Sequence, residues 1–190
     1  MREETFKRRL IQQANIQTGQ NVLDLGCGTG TLTVMVAQSH PDARITGVDG
    51  DPAVLQVARQ KAAQADVEIT WDEGLATRLP YPDRSFDRVL SSLVIHHLTL
   101  VNKRQAFREI VRVLKPGGSL DIVDFGKPHS PAMHLIANIM VGLEETKENF
   151  AGLIPGMLAE AGFSGVAELD HFGTFFGPVS LYSAGKPQEA

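Results

Sequence analysis

Short β-rich apolar runs alternate along this chain with stretches whose apolar positions recur every three or four residues. Phe6, Leu10 and Ala14 fall at helical spacing and predict a leading helix. Asn21 to Leu25 reads as a first strand, Gly26 to Gly30 as a turn, and Leu32 to Gln38 as the helix that follows. Ala43 to Val48 reads as a second strand. Asp51-Pro52 then offers an N-cap with proline at the first helical position, opening a helix through Val54, Ala58 and Ala62. Val67 to Trp71 has the polar alternation of an edge strand, and Phe86 to Ser91 reads as a fourth strand. Lys103 to Leu114 carries Phe107, Ile110 and Leu114 on one helical face. Pro116-Gly117-Gly118 predicts a turn into a fifth strand, Ser119 to Phe125. The stretch from Gly126 to Glu148 is less regular, with a helix expected over Pro131 to Val141. A further helix, Phe150 to Ala161, is stopped by Gly162, and Phe163 to Leu169 and Val179 to Ala184 read as closing strands.

Alternating strands and helices predict an α/β fold: a doubly wound, mostly parallel sheet of seven strands with helices on both faces. A length of 190 residues suits one domain, with 1–18 as a leading helix and 126–148 as a small cap on the substrate side. Ligands of such sheets bind beyond the carboxyl ends of the strands, where every motif below sits.

Composition narrows the function classes. Apolar residues at 43% and charged residues at 21% argue against disorder. Lys and Arg number 18 against 22 Asp and Glu, and no basic block appears, so the electrostatic footprint of a nucleic-acid binder is missing. The single cysteine, Cys27, forms no internal disulfide, as in a reducing cytoplasm. The charged opening MREETFKRRLIQQANI has no signal-peptide core, and no apolar run approaches the roughly 20 residues that span a bilayer. A cytoplasmic protein without a membrane span is expected.

The strongest chemical signal is VLDLGCGTG, from Val22 to Gly30. A strand runs into three glycines, which let backbone approach a ligand closely, and the helix start behind them offers unpaired N–H groups. A dinucleotide fingerprint beginning at Gly26 needs glycine where Thr31 stands, and a phosphate-binding loop needs a lysine that is absent. Asp24, just before the turn, suits a ligand with an ammonium group better than a pyrophosphate. Asp49 ends the second strand about twenty residues on, where a carboxylate can accept bonds from both hydroxyls of a ribose. Asp51 takes the helix cap.

On these residues the chain resembles the class I S-adenosylmethionine-dependent methyltransferases, nearest the branch of ubiquinone and menaquinone biosynthesis. The resemblance runs from about Gln20 to Leu120 and includes the segment Arg112-Val113-Leu114-Lys115-Pro116-Gly117-Gly118. It implies S-adenosylmethionine as cofactor, wrapped by the turn of Gly26, Cys27, Gly28 and Gly30, with Asp24 and Gly26 beside the amino group. It also implies Asp49, followed by Gly50, at the ribose, and the Ser91 backbone facing the methionine part. Relatives commonly have Gly-Asp-Ala where Gly74-Leu75-Ala76 stands, so Leu75 cannot accept from the adenine amino group. Leu75 can pack on the ring and the Ala76 N–H can bond a ring nitrogen. A one-residue shift would bring Asp72 or Glu73 there instead.

Methyl transfer from a sulfonium needs alignment above all, and a base only where the acceptor loses a proton. The catalytic residue is therefore open. His96 and His97, after the fourth strand, are candidates, although a structural pair at the strand–helix junction is the preferred reading. His129 and His134 are read as solvated loop residues. The six histidines show no metal-ligand spacing along the chain, so no metal is expected. Ser91-Ser92-Leu93-Val94 replaces the motif of base N-methylation, and Cys27 is committed to the turn rather than to cytosine chemistry. A small-molecule methyl acceptor is expected, held partly by a segment carrying Phe125, Met133, Ile136, Ile139 and Met140, for which a core role is preferred. Two other classes stand against this reading. One is a non-catalytic cofactor-binding module or partner subunit. The other is a nicotinamide oxidoreductase, disfavoured by Thr31 and the lack of a Tyr-x-x-x-Lys pair.

Overall fold

The computed structural model describes residues 2–140, 145–175 and 177–188. Seven strands, β1 (Asn21–Leu25), β2 (Arg44–Asp49), β3 (Thr70–Glu73), β4 (Phe86–Ser92), β5 (Leu114–Phe125), β6 (Ser164–Thr174) and β7 (Gly177–Gly185), form one sheet in the order β3-β2-β1-β4-β5-β7-β6. The first five run parallel, and β7 lies antiparallel between β5 and β6. The expected doubly wound, mostly parallel sheet is the observed one.

Alternation along each strand splits the core in two. Leu23, Leu25, Val89, Ile122 and Tyr182 turn to the face covered by α4 (Leu100–Val113) and α7 (Ile154–Ala161). Val22, Leu90, Val123 and Leu181 turn to the other face, where α1 (Arg2–Ala14) and α2 (Thr31–Ser39) contribute Phe6, Leu10, Leu32 and Val36. The period of two in the strands and of 3.6 in the helices thus meet in two buried layers. The helix α3 (Pro52–Gln64) starts where expected: Asp51 accepts from the Ala53 N–H at 2.8 Å and Pro52 fills the first turn.

Four boundaries differ from expectation for identifiable reasons. Val67 does not enter β3, because its N–H closes α3 on the Ala62 carbonyl and Asp66 takes φ 52°. Pro116-Gly117-Gly118 is not a turn before β5 but an irregularity within it, between the pairs Phe86↔Leu114 and Arg88↔Ser119. The helix expected over Phe150 to Ala161 is interrupted. A short α6 (Lys147–Phe150) ends at Gly152, φ 74°, before α7 begins with Pro155 in its first turn. The helix expected from Lys103 starts three residues earlier, at Leu100, because Thr99 caps it and accepts from the Asn102 N–H at 3.4 Å. The helix after β5 is α5 (Pro131–Met140); the expected end at Val141 lies outside the described residues, as do 141–144 of the expected cap.

Candidate active site

A cavity of about 350 Å³ opens beyond the carboxyl ends of β1, β2 and β4. Gly26 and Gly28 form one wall, Asp49 and Gly50 the next, and Leu75 and Ala76 a third. Leu93, Val94, His97 and Leu98 close the fourth side. Two other hollows, of about 360 and 550 Å³, lie by the α1–α2 contact and the amino end of β2, away from the glycine turn.

The three glycines do different work. A Cβ at Gly26 would stand 2.5 Å from the Val94 side chain, and one at Gly30 would stand 2.6 Å from the Trp71 ring and 2.9 Å from the Ala58 Cβ. Those two allow close packing of turn against neighbours. Gly28, at φ 52°, has nothing within 4 Å of an added Cβ, so it faces the open cavity. Its N–H donates to Asp49 Oδ2 at 2.8 Å, and Asp49 Oδ1 accepts from the Asp51 N–H at 3.0 Å. Asp49 therefore fastens the β1–α2 turn to the β2–α3 turn, and each of its oxygens keeps a lone pair for a further donor such as a ribose hydroxyl.

Gly26, Gly28, Asp49, Gly50, Leu75 and Ala76 are brought together around this cavity, while Asp24, Cys27, Gly30 and Ser91 lie behind its lining. Asp24 is buried on the α2 face, where the Thr33 hydroxyl donates to Oδ2 at 2.6 Å. Burial pushes its carboxyl up to about 6, although Thr33 and more distant Lys7 pull the other way. The Cys27 thiol is buried near Gly47, and burial drives it far above the ordinary thiol range. Ser91 donates to the Leu25 carbonyl at 3.1 Å and ties β4 to β1. At the third wall, Leu75 is 62% exposed at the cavity rim. Asp72 lies outside the lining and accepts from the Tyr81 hydroxyl at 3.1 Å, and Glu73 is exposed at the end of β3.

The histidine pair separates into a buried and a facing member. His96 and His97 sit in a one-turn 3-10 segment, Ile95–His97, with ring centroids 3.9 Å apart. His97 lines the cavity, whereas His96 is buried with its Nδ1 2.8 Å from Asp124 Oδ1. Asp124, fully buried at the end of β5, also accepts from the Val94 and Ile95 N–H groups at 3.0 and 2.7 Å. Asn149 Nδ2 donates to it at 3.3 Å and to the Phe125 carbonyl at 3.1 Å. A carboxylate only accepts, so this arrangement sets His96 with its proton on Nδ1. Leu93 just before them holds φ 59°, a left-handed conformation that costs a side-chain-bearing residue on the order of 1 kcal/mol. The Leu93 N–H to the Val123 carbonyl at 2.8 Å holds it there.

Sequence reading missed Asp124 and Asn149, and it named Leu93 without its left-handed backbone. The first had a signal: a carboxylate inside the apolar run of β5 demands partners. Of the apolar residues for which the sequence favours a core role, Phe125 at the end of β5 is buried, but Ile139 is 65% exposed and not core. Ala137 is buried in α5, which packs on β7, while Leu135 and Ile139 are exposed; the Met140 side chain lies outside the described residues.

A methyltransferase-domain family model matches residues 22–118, which run from β1 and the glycine turn through β4 and α4 into β5. The chain belongs to the methyltransferase domain family. A demethylmenaquinone methyltransferase from Listeria monocytogenes is 31% identical, with 88% of this chain and 80% of that protein covered. An uncharacterized methyltransferase from Synechocystis is 35% identical, covering 85% and 75%. In solved structures, the [4+2]-cyclase SpnF superposes with a TM-score of 0.81 at 19% identity, over 98% of this chain and 82% of that one, a likeness of fold alone. The methyltransferase is of the class I, S-adenosylmethionine-dependent kind and is related to the menaquinone branch, and S-adenosylmethionine is its cofactor. The cavity fits that group chemically. The open space at Gly28, a doubly anchored carboxylate at Asp49 and the apolar side chains of Leu75 and Ala76 match a small-atom, diol and aromatic-ring sequence. Among the described residues, no helix is long and apolar enough to cross a membrane.

Proposed function

We propose that this methyltransferase methylates a small, apolar ring compound of the quinol type in the cytoplasm. On this reading it is one folded domain, with residues 126–148 forming part of the acceptor side. The observation that carries the proposal is a titratable ring, His97, in a wall otherwise made of Leu25, Leu93, Val94 and Leu98. An apolar acceptor gains by leaving water for such a wall, at roughly 25 cal/mol per Å² buried. The relatives named demethylmenaquinone methyltransferases supply the ring class.

Asp49 holds the ribose hydroxyls, Gly26 and Gly28 line the methionine side, and Leu75 with Ala76 flanks the adenine. When bound, the cofactor supplies a methyl group already activated on a sulfonium. The chain's own task is to hold acceptor and donor in line and to remove the ring proton that the new carbon–carbon bond displaces. His97 accepts that proton. His96, fixed by Asp124, sets the turn that carries His97 and is a positioning residue. Asp24 and Ser91 hold the turn and β4 from behind.

The test is incubation of the purified chain with S-adenosylmethionine and a short-chain demethylated naphthoquinol under reducing conditions, with mass spectrometry of quinone and S-adenosylhomocysteine. One added methyl per S-adenosylhomocysteine is expected. His97→Gln should lower kcat by about 100-fold or more, the usual scale for a lost general base, with cofactor affinity little changed. Absence of methylated quinol while S-adenosylmethionine binds would remove this acceptor class, and full activity of His97→Gln would remove the base.

A further inference from the structure

At the edge of the sheet opposite β3, a second cluster forms from residues far apart in the chain. Glu168 and His171 project from β6, and His129 comes from the segment between β5 and α5. His129 Nε2 lies 2.8 Å from Glu168 Oε1, and the His129 and His171 rings stack with centroids 4.1 Å apart at 25°. One ligand atom from each of the three lies within 4.8 Å of the other two. Glu168 Oε1 also accepts from the hydroxyl of Ser180 at 2.7 Å, and Ser180 is fully buried, so the carboxylate is held from beneath. Reading histidine spacing along the chain misses this group, because His129 and Glu168 stand 39 positions apart.

We propose that His129, Glu168 and His171 bind one divalent first-row transition-metal ion of the zinc, cobalt or nickel kind. The ion would tie the chain entering α5 to β6. Two imidazoles and one carboxylate are the donor set such ions prefer, whereas magnesium and calcium favour all-oxygen sites. With bonds of about 2.0–2.1 Å, tetrahedral donors stand about 3.4 Å apart, so the present span of up to 4.8 Å must close by about 1.4 Å. Rotation of the two imidazoles out of their stack supplies that movement, and both side chains are exposed. A hollow of about 220 Å³, lined by both histidines with Ser130 and Met133, leaves room for water as the remaining ligand. The proton between His129 and Glu168 does not survive coordination through Nε2. It moves to Nδ1 through solvent or is released, because an imidazole binds the ion through an unprotonated nitrogen.

An ion here would restrain α5. Pro131 opens that helix two residues after His129, and the Met133 sulfur lies 3.6 Å from where a Cβ on Gly173 would stand. The ion would therefore fix the amino end of α5 against the β6–β7 pair.

The experiment is calorimetric titration of the metal-free full chain with zinc sulfate, with cobalt chloride followed by visible absorption and with magnesium chloride as a control. One equivalent of zinc is expected, with none of magnesium, and zinc should raise the Tm. Loss of a group that merely orients a ligand costs about 10–100-fold in affinity, so His129→Ala and His171→Ala should each exceed about 100-fold. His40→Ala, remote from the cluster, should leave binding unchanged. No zinc binding at 100 μM, or undiminished binding in the His129→Ala/His171→Ala double variant, would overturn the site. Neither outcome bears on methyl transfer, because the titration contains no cofactor or acceptor.

Discussion

Asp24→Asn should change the pH dependence of stability in a way that its buried contact dictates. The folded chain holds this carboxyl at about 6, against an ordinary value of 3.8, because it is 2% exposed on the α2 face. The folded state therefore binds more protons than the unfolded state between those two values. Its contribution to stability is fully present below 3.8 and is lost as pH rises through about 6. A carboxyl moved from 3.8 to about 6 makes the full loss about 3 kcal/mol. Between pH 4.5 and 7 about 2 kcal/mol of it should appear. Asparagine keeps an oxygen for the Thr33 hydroxyl but has no charge to desolvate. It does bury an amide N–H₂, at a cost of about 1–3 kcal/mol where unpaired, but that cost does not change with pH. The slope is thus the informative quantity. Urea unfolding of both proteins at half-unit intervals from pH 4.5 to 7 should show the variant gaining about 2 kcal/mol relative to wild type across the window. Curves that stay parallel within about 0.5 kcal/mol would mean that Asp24 is ionised in the fold without penalty, and the burial argument would fall.

Asp49→Ala and Asp51→Ala should each cost about 0.5–2 kcal/mol in apo stability, because each carboxylate accepts backbone N–H bonds. Only Asp49→Ala should weaken S-adenosylmethionine, by about tenfold or more in calorimetry; equal affinities would remove Asp49 from the ribose. Gly30→Ala meets the Trp71 ring and Ala58 at φ 74° and should lose about 2–5 kcal/mol in chemical unfolding. Gly28→Ala meets nothing within 4 Å at φ 52° and should lose only about 1–2 kcal/mol while losing cofactor affinity; the reverse ranking would exchange their roles. Lys103→Met removes a fully buried ammonium that donates to Glu148 Oε2 at 2.9 Å and to the Glu145 carbonyl. Glu148 is partly solvated, so the loss should fall below the roughly 3–5 kcal/mol of a fully buried pair, and a thermal melt unchanged from wild type would contradict the pair's role.

What the sequence made legible was whatever a local rule enforces. The glycine turn was readable because a close approach leaves no room for a side chain, and the cavity at Gly28 is its consequence. Asp51 was readable as a cap because capping is decided within four residues. The strands were readable because their two-residue period must serve two cores at once, as Leu23 and Val22 do. What stayed hidden depends on partners distant in sequence. Lys103 shares a helical face with Phe107 and Ile110, where a charge reads as an interruption, until Glu148, 45 positions on, gives it a partner. Asp124 looks like a flaw in the strand Ser119 to Phe125, until His96 and Asn149 come within reach from either side along the chain. Both are buried, and both fasten the stretch from Glu145 to Asn149 to the sheet-and-helix frame. Burying a charge is costly enough that the fold tolerates it only where the partners are supplied. Charges on apolar faces are therefore the positions at which this sequence, read alone, already marked its long-range contacts without naming them.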